Sequence, residues 1–477
     1  MLQTTIIKSG KIKDFNTYMC ELPIRFFAIL FISIFFLASA CKREKTNTTL
    51  ETKKPNVILI MADDMGYECL SSNGSLEYKT PHLDQLAANG IRFTQCIAQP
   101  LCTPSRVKIM TGMHNYRNYE YFGYLNPQAK TFAHVMQEAG YKTCISGKWQ
   151  LNGFYQELPG WKDSNRPYQL GFDEYCLWQL TQQRGMKDGK PHGERYADPI
   201  IEQNGKKLQP GIDNYGPDTF DDYIINFIEK QKDSAFFVYY PMVLVHDPFV
   251  PTPDMPAWQN PKRRYEKDTA YFKEMMAYTD KIVKRITDKL NALEIADNTL
   301  VLFTADNGTH VSVASETSYG VVQGAKGNTI DAGVRVPLIA HWPAKIKNGQ
   351  VYDGLIEFSD FHPTLAALAG VNVDSTDGKS FLPLLEGKTD FKGRESVFVH
   401  YDPQWGKRVN HFRNQFTRNT HFKLYRDGRF FNIKKDVLEE KPLDTEMLEG
   451  EVLVQYEFLR KELEKTPPIR FDNLKTK

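Results

Sequence analysis

Short apolar runs alternate with segments of helical periodicity through most of the chain. A strand is followed, or preceded, by a helix-like stretch of polar and apolar residues at a spacing of three and four. This alternation predicts a large, mainly parallel sheet with helices on both faces, an α/β architecture. The predicted strands are residues 57–61, 142–145, 236–240 and 299–303, and the predicted helices are one opened by Thr80-Pro81 and residues 131–140, 218–230 and 265–293.

The last hundred residues follow a different pattern. Short β-like runs at 396–400, 422–425 and 430–433 are separated by polar turns, and residues 452–464 then show apolar positions at helical spacing. Alternating short strands joined by turns favour an antiparallel sheet. We therefore predict a small C-terminal α+β subdomain over residues 376–477, packed on a large domain over residues 55–375.

The first 54 residues have the features of an export signal and a tether. Residues 26–40 are apolar except for Ser33 and Ser39, follow Arg25, and lead into Leu37-Ala38-Ser39-Ala40-Cys41. The run is short for a membrane span, and small residues before a cysteine resemble a bacterial lipobox. We expect a lipoprotein signal over 1–41, a lipid on Cys41 that holds the protein to a membrane, and a flexible tether over 42–54. An ordinary cleaved signal, and a start at Met19, are the alternatives.

These features predict a protein of the bacterial cell envelope, exported and lipid-anchored, in the periplasm or at the outer-membrane surface.

The 477 residues are 41% hydrophobic and 25% charged, which excludes a disordered chain and a small disulfide scaffold. The formal charge of +2 gives no support to nucleic-acid binding. Of seven cysteines, five remain after the predicted signal and Cys41, so at least one is unpaired. Their spacing matches no zinc site.

Polar residues follow each of the four main predicted strands. They are Asp63-Asp64, Gly147-Lys148, His246-Asp247 and Asp306-Asn307-Gly308. Ligands of open parallel sheets bind beyond the carboxyl ends of the strands, so we expect these residues to meet at one edge. Carboxylate and amide oxygens form a hard ligand set that suits calcium or magnesium. Turn and helix-cap chemistry is the alternative for each motif taken alone.

The segment Cys102-Thr103-Pro104-Ser105-Arg106 predicts a reactive helix start. Thr103 is suited to cap a helix that begins at Pro104, which places Cys102 just before the positive end of the helix dipole. Arg106 lies about one turn further and could point its guanidinium to the same place. The residues indicate an activated cysteine beside an anion site. A buried structural cysteine is the alternative.

CTPSR resembles the Cys-x-Pro-Ser-Arg signature of the formylglycine-dependent sulfatases, which are arylsulfatase-like members of the alkaline phosphatase superfamily. The resemblance extends from about Asn56 to Asp436, with the motifs in the order of the family. They are residues 56–58 with 63–64, 80–84, 147–149, 306–308, 324–327, 333–337 and 377–380. The resemblance implies an alkaline-phosphatase-like fold, a sulfatase catalytic domain over 55–375, and sulfuric ester hydrolysis.

The same resemblance implies a role for each matched residue. A maturation enzyme would oxidise Cys102 to formylglycine, whose hydrate attacks sulfur, expels the alcohol and then collapses to release sulfate. Asp63, Asp64, Asp306, Asn307 and the group derived from Cys102 would bind the metal, expected to be Ca²⁺, with Mg²⁺ as the alternative. Arg106 would hold the hydrate, Lys148 and Lys326 would clamp the sulfate, and His246 would protonate the leaving oxygen.

Two positions depart from the family pattern. Gln150 stands where relatives carry a histidine that assists regeneration of the aldehyde. Glutamine can form hydrogen bonds there but cannot exchange a proton near neutral pH. Met113 stands where many relatives carry arginine, which concerns only local support of the helix.

The sequence leaves the substrate largely open. Candidate contacts to a sulfated carbohydrate are Arg184, His192, Arg195, His310, Trp405 and His411, since a sugar sulfate needs hydrogen bonds and an aromatic platform. Two other functions remain possible. One is a phosphodiesterase or phosphonate hydrolase of the same superfamily, and the other is a non-catalytic glycan-binding lipoprotein, which Gln150 would favour.

Overall fold

The computed structural model describes residues 53–469 except 188, 189, 209, 210, 212 and 389. The predicted signal (1–41) and residues 42–52 of the predicted tether lie outside the described residues. Within this part the strands are β1 Asn56–Ala62, β2 Ile91–Ile97, β3 Lys142–Lys148, β4 Glu174–Trp178, β5 Gly185–Lys187, β6 Lys190–His192, β7 Ile201–Gln203, β8 Lys206–Lys207, β9 Phe236–Pro241, β10 Thr299–Ala305, β11 Ala314–Thr317, β12 Gly320–Gln323, β13 Arg335–His341, β14 Gln350–Glu357, β15 Val397–Tyr401, β16 Asn414–Arg418, β17 Phe422–Tyr425 and β18 Phe430–Asn432.

Helices connect and cover these strands. The α-helices are α1 Pro81–Ala88, α2 Cys102–Thr111, α3 Asn115–Asn118, α4 Phe132–Glu138, α5 Arg166–Gln169, α6 Gly216–Gln231, α7 Tyr271–Ala292, α8 Asp331–Val334, α9 Phe361–Ala369, α10 Leu382–Leu385, α11 Lys407–Asn410 and α12 Gly450–Glu464. Short 3₁₀ turns occur at Tyr67–Cys69, Ser71–Asn73, Pro256–Gln259, Phe358–Asp360 and Thr445–Met447.

The four strands predicted from the sequence lie side by side in the middle of a ten-stranded sheet. The order of the sheet is β14-β2-β13-β10-β1-β9-β3-β4-β7-β8. Neighbouring strands from β10 to β4 are parallel, with Asn56 opposite Thr299 and Val57 opposite Phe237. The strand β13 runs antiparallel to both of its neighbours, which makes the sheet mixed at its edges. The predicted mainly parallel α/β sheet is confirmed.

The central strands are apolar on both sides because helices flank the sheet. Every residue of β1, β9 and β10 is buried. Strands covered on both faces read as continuous apolar runs instead of alternating ones, which is why these strands were recognisable in the sequence.

The longest helix starts later than its periodicity predicts. We expected a helix from residue 265, but α7 begins at Tyr271. The side chain of Asp268 accepts a hydrogen bond from the main-chain N–H of Ala270, and the main-chain N–H of Tyr271 donates to the carbonyl oxygen of Asp268. This aspartate turn uses the main-chain groups that an earlier helix start would need.

The C-terminal region forms a separate four-stranded antiparallel sheet, β15-β16-β17-β18, with α12 packed on β16 and β17. Side chains of β15, including Val399 and Tyr401, share an apolar cluster with Leu101 and Cys102. The C-terminal sheet therefore lies directly against the start of α2. The predicted α+β character of this region is confirmed, whereas the domain boundary at residue 375 stays a prediction.

In the part of the chain that the structure describes, no helix has both the length and the apolar character needed to span a membrane. The five cysteines of this part, Cys69, Cys96, Cys102, Cys144 and Cys176, are all buried and none forms a disulfide. The prediction that at least one cysteine is unpaired therefore holds for all five.

Candidate active site

The four polar motifs meet beyond the carboxyl ends of β10, β1, β9 and β3. Asp63 and Asp64 follow β1, Lys148 ends β3, and Asp306 follows β10. The main-chain N–H of Asp306 donates to the carbonyl oxygen of Ala62 at 2.9 Å, which continues the β1–β10 pairing into the site. The order of the parallel strands thus brings carboxylates and cations from distant parts of the chain together.

Two buried cations hold Asp63. The Nζ of Lys148 lies 2.9 and 2.8 Å from the two carboxylate oxygens, and Nη1 of Arg195 lies 3.1 Å from Oδ2. All three side chains are buried. Burial alone would raise the pKa of Asp63, but the neighbouring positive charges, Lys148 foremost, hold that pKa well below its usual range. Asp63 is therefore a carboxylate at neutral pH.

Asp64 contacts three other site residues, and its backbone adopts a strained conformation. Its φ of 62° lies in the left-handed region that few residues other than glycine adopt. Its carboxylate accepts hydrogen bonds from Lys326 Nζ at 2.6 Å and Asn307 Nδ2 at 2.8 Å, and its main-chain N–H donates to Asp306. Gly308 must be glycine, because a Cβ there would lie 1.9 Å from a carbonyl oxygen of α8. This close packing fixes the loop that carries Asp306 and Asn307.

The oxygen atoms of this cluster fit a divalent cation. Burial and the nearby Asp63 raise the pKa of Asp306 well above its usual value, a repulsion that a bound cation would relieve. The amide oxygen of Asn307 is buried without a hydrogen-bond partner in the described part of the chain, although its amide nitrogen is paired. A buried amide oxygen without a partner, in a cluster with three carboxylates, is a suitable set of ligands for a metal ion that binds oxygen.

His246 belongs to the same cluster. One ligand atom each from Asp63, Asp64 and His246 lie within 4.8 Å of one another. The sequence suggested His246 as a proton donor and a substrate contact, whereas its position also permits metal contact. Nδ1 of His246 lies 2.5 Å from the carbonyl oxygen of Asp247, and Nε2 lies 2.8 Å from Nζ of Lys326. Burial and Arg195 lower the pKa of His246, so Nε2 accepts a hydrogen bond from the lysine.

Cys102 is the first residue of α2, so the helix begins two residues earlier than the predicted start at Pro104. The residue before it, Leu101, is extended and provides no side-chain cap. Thr103 does not cap the helix, because its hydroxyl accepts a hydrogen bond from the main-chain N–H of Gly123 at 3.2 Å. The thiol of Cys102 lines a cavity near Lys326. Burial raises the pKa of Cys102, so the unmodified thiol stays protonated.

Arg106 fastens α2 to the end of β3. Its two terminal nitrogens donate to the carbonyl oxygens of Lys148 and Trp149, each at 2.5 Å. The guanidinium therefore fixes the backbone that carries Lys148. A direct role of Arg106 at the nucleophile stays a prediction.

Gln150 also adopts a left-handed conformation, with φ of 47°. Its side-chain nitrogen donates to Oε1 of Gln179 at 2.5 Å and to the hydroxyl of Tyr155 at 3.2 Å. Gln150 therefore links the wall of the cavity to a second glutamine and to a tyrosine at its mouth. The sequence did not indicate either partner.

A cavity of about 230 Å³ opens above Cys102. Among the residues proposed from the sequence, it is lined by Cys102, Gln150, Arg184, Arg195, His246, His310, Lys326 and Trp405. Asp247, which the sequence placed at this sheet edge without assigning it a role, also lines the cavity. The sequence missed Phe122, Tyr155 and Arg408, which line it as well and which no sequence pattern marked.

Among the described residues, three that were proposed to contact the substrate do not line the cavity. Lys148 is buried against Asp63, and His192 and His411 lie elsewhere. His192 pairs with Asp198 at 3.1 Å, and His411 packs against Phe412. Local pairing accounts for both side chains, so the structure does not bring them to the cavity.

Comparison with known proteins gives a consistent result. The profile of the Sulfatase family matches residues 55–371, and that of the N-sulphoglucosamine sulphohydrolase C-terminal region matches residues 326–464. Human arylsulfatase A is 30% identical over 376 residues, which cover 73% of this chain and 71% of the relative. N-acetylgalactosamine-6-O-sulfatase from Bacteroides thetaiotaomicron is 28% identical over 418 residues, covering 72% of this chain and 79% of the relative. A solved structure in complex with its substrate D-glucosamine-2-N,6-O-disulfate superposes with a TM-score of 0.67 at 23% identity, covering 87% and 97% of the two chains.

Proposed function

The chain belongs to the sulfatase family and is a sulfuric ester hydrolase, and we propose that it releases sulfate from carbohydrates with a formylglycine made from Cys102 and a divalent cation. The cation in this proposal is Ca²⁺, with Mg²⁺ as the alternative. The observation that carries it is the buried oxygen cluster at the base of the cavity, where the amide oxygen of Asn307 lacks a hydrogen-bond partner among the described residues. Asp63, Asp64, Asp306 and Asn307 would hold the cation, and His246 lies near enough to contact it.

The bound cation and the formylglycine would together supply the nucleophile that attacks sulfur. Lys148 and Lys326 lie beside this position, where ion pairs with Asp63 and Asp64 orient their ammonium groups. Fixed cations in a buried site stabilise the negative charge that develops on the sulfate oxygens in the transition state. The two aspartates thus keep both lysines oriented before the substrate arrives.

The pair of His246 and Lys326 would deliver the proton to the leaving alcohol. His246 is neutral in this arrangement, and its Nε2 faces the ammonium group of Lys326 at 2.8 Å. The proton held by Lys326 in this hydrogen bond would pass to the leaving oxygen, directly or through Nε2 of His246. Asp247 holds the ring from its other side, with its carboxylate 3.0 Å from Nδ1. The aspartate would orient the imidazole as a positioning residue.

Carbohydrate substrates are supported by two of the similar proteins and by the mouth of the cavity. One relative is a sulfatase of N-acetylgalactosamine, and one structural neighbour holds a disulfated glucosamine. In this chain Trp405 and Tyr155 line the mouth and leave 37% and 38% of their surfaces exposed. Partly exposed aromatic rings beside charged groups suit a sugar ring with a sulfate.

Sulfate release from matured protein tests the proposal. The full chain would be produced with a formylglycine-generating enzyme and assayed on sulfated hexosamines, sulfated galactose and an aryl sulfate, with and without a chelator. We expect calcium-dependent release that Cys102→Ala abolishes. A phosphate diester and a phosphonate monoester complete the panel, and their hydrolysis without sulfate release would instead identify a phosphodiesterase or phosphonate hydrolase. Sugar binding without turnover, in protein with a confirmed aldehyde, would identify a non-catalytic binder.

We also propose that the protein is exported and anchored by a lipid on Cys41. The apolar run at 26–40 before Leu37-Ala38-Ser39-Ala40-Cys41 supports this. Labelling of bacteria with radioactive palmitate should mark the wild-type protein but not a Cys41→Ala variant. Equal labelling of both would contradict the anchor.

A further inference from the structure

The mouth of the cavity carries a cation that neither the site nor its surroundings neutralise. Arg408 lines the cavity and is exposed. No hydrogen bond or ion pair joins its side chain to another residue in the described ranges. Arg184, on the same cavity, lies 3.5 Å from Glu194 and keeps 48% of its side chain exposed. These two arginines are the lining cations that the carboxylates at the base of the site do not engage.

The other lining cations are already committed. Arg195 contacts Asp63, and Lys326 contacts Asp64, so both belong to the base of the site. Among the described residues Asp247 is the one carboxylate on the lining, and it faces His246. The scissile sulfate ester brings a single negative charge, which the proposed cation and the lysines at the base would balance together. Arg184 is paired with Glu194 at 3.5 Å, so the charge of Arg408 exceeds what a singly sulfated sugar needs.

Packing of the neighbouring residues holds the backbone of Arg408 in place. It lies on α11, where the main-chain N–H of Trp405 donates to the side chain of Asn410 at 3.0 Å. Its neighbour Val409 packs into the apolar cluster around Cys102 and stands against Gly327, next to Lys326. The backbone of Arg408 is thus held on a turn beside Lys326, and its exposed side chain lies where it can reach an anion at the mouth of the cavity.

We propose that Arg408 and Arg184 form a second anion subsite, so that the preferred substrate is a sugar sulfate carrying another negative group close to the scissile ester. The group would be a second sulfate or a uronic acid carboxylate. A sulfate ester offers three terminal oxygens to a guanidinium, and a carboxylate offers two oxygens in one plane. This inference rests on the proposed sulfatase function of the same site. Trp405 would lie under the sugar ring between the two anionic groups.

Matched substrates test the subsite. The assay compares kcat/KM for a monosulfated hexosamine, the same sugar with a second sulfate, and a disaccharide that joins the sulfated sugar to a uronic acid. In wild-type protein we expect the doubly charged substrates to be preferred. Arg408→Gln should lower the preference ratio about fivefold, in line with a partly exposed charge pair. Lys407→Gln, an exposed charge change on the same turn that does not line the cavity, should leave the ratio as in wild type.

The arms of the experiment separate the outcomes. If Arg408→Gln lowers the preference for the disulfated sugar alone, or for the uronate disaccharide alone, the result supports the subsite and identifies the anion. An equal loss for singly and doubly charged substrates would show general electrostatic attraction and overturn the proposal, as would an unchanged ratio. Calorimetry measures the binding of the same sugars to Cys102→Ala and to the double variant Cys102→Ala/Arg408→Gln. The ratio of the affinities for doubly and singly charged sugars is then obtained independently of turnover. A subsite that appears in binding while the matured enzyme releases no sulfate would refute the proposed function alone.

Discussion

Removal of the Lys148 charge tests whether buried cations stabilise the carboxylates of the metal-free site. Lys148→Met keeps the length and apolar stem of the side chain but leaves Asp63 with Arg195 as its one remaining cation among the described contacts. Both members of the Lys148–Asp63 pair are about 1% exposed, so water cannot replace the lost ammonium group. The variant therefore leaves a partly uncompensated charge in the protein interior.

Breaking a buried ion pair from one side costs about 3–5 kcal/mol. Arg195 remains 3.1 Å from Oδ2 of Asp63, so we expect the lower end, about 3 kcal/mol of unfolding free energy. A loss of this size changes the folding equilibrium by a factor of roughly 150.

Urea unfolding followed by tryptophan fluorescence, in the presence of a chelator, measures this loss. Lys206→Met is the matched control, because Lys206 is exposed on β8, and we expect it to change stability by less than about 0.5 kcal/mol. Added Ca²⁺ should restore part of the Lys148→Met loss, since a bound cation supplies charge beside Asp63. The double variant Asp63→Asn/Lys148→Met should lose less than the sum of the two single variants. If Lys148→Met were as stable as wild type in chelator, or if the two changes were simply additive, the electrostatic reasoning would be refuted.

Three further predictions follow from the same geometry. Asn307→Leu removes the unpartnered amide oxygen and should raise the Ca²⁺ concentration for half-maximal activity at least about tenfold, a result that a calcium titration of the matured enzyme checks. Gln150→His replaces the bond to Gln179 and should leave kcat/KM on an aryl sulfate within about tenfold of wild type; a far larger loss would show that the pocket is built around the amide. Burial raises the pKa of the Cys176 thiol to about 12 and that of Cys144 well above its usual value, so at pH 8 both remain protonated. Iodoacetamide should therefore modify these two cysteines far more slowly in native than in urea-unfolded protein, as peptide mass spectrometry would show, and rapid native labelling would contradict their burial.

The strand-end motifs were predictable because parallel strands buried on both faces leave a plain apolar signal. β1, β9 and β10 were each visible as such runs, and β3 by Cys144 and Ile145 within a more polar stretch. The rule that the carboxyl ends of parallel strands share one edge then brought Asp63, Lys148 and Asp306 together. The mixed edges of the sheet were not visible. β7 and β8 are only three and two residues long, and so short a run has no periodicity to detect.

The start of α2 shows a local rule overruled by its surroundings. Thr103-Pro104 has the composition of a helix cap followed by a first turn, yet the helix begins at Cys102. The hydroxyl of Thr103 is instead engaged by the main chain of Gly123. A residue 20 positions away thus engages the hydroxyl that the local composition assigns to the cap, and no short-range pattern contains that contact.

The fold class, the family and the cluster of site residues could be read from the amino-acid sequence, because buried strands and a contiguous signature such as CTPSR are local features of the chain. Three contacts could not: the ion pair of Arg195 with Asp63, 132 positions away, the hydrogen bond of Gln150 to Gln179, and the approach of Arg408 on α11 to the mouth of the cavity. These contacts join residues whose local surroundings carry no mark of the partner. They arise when separately determined elements pack, because the geometry of a binding site depends on the relative placement of loops and not on the pattern within any one of them.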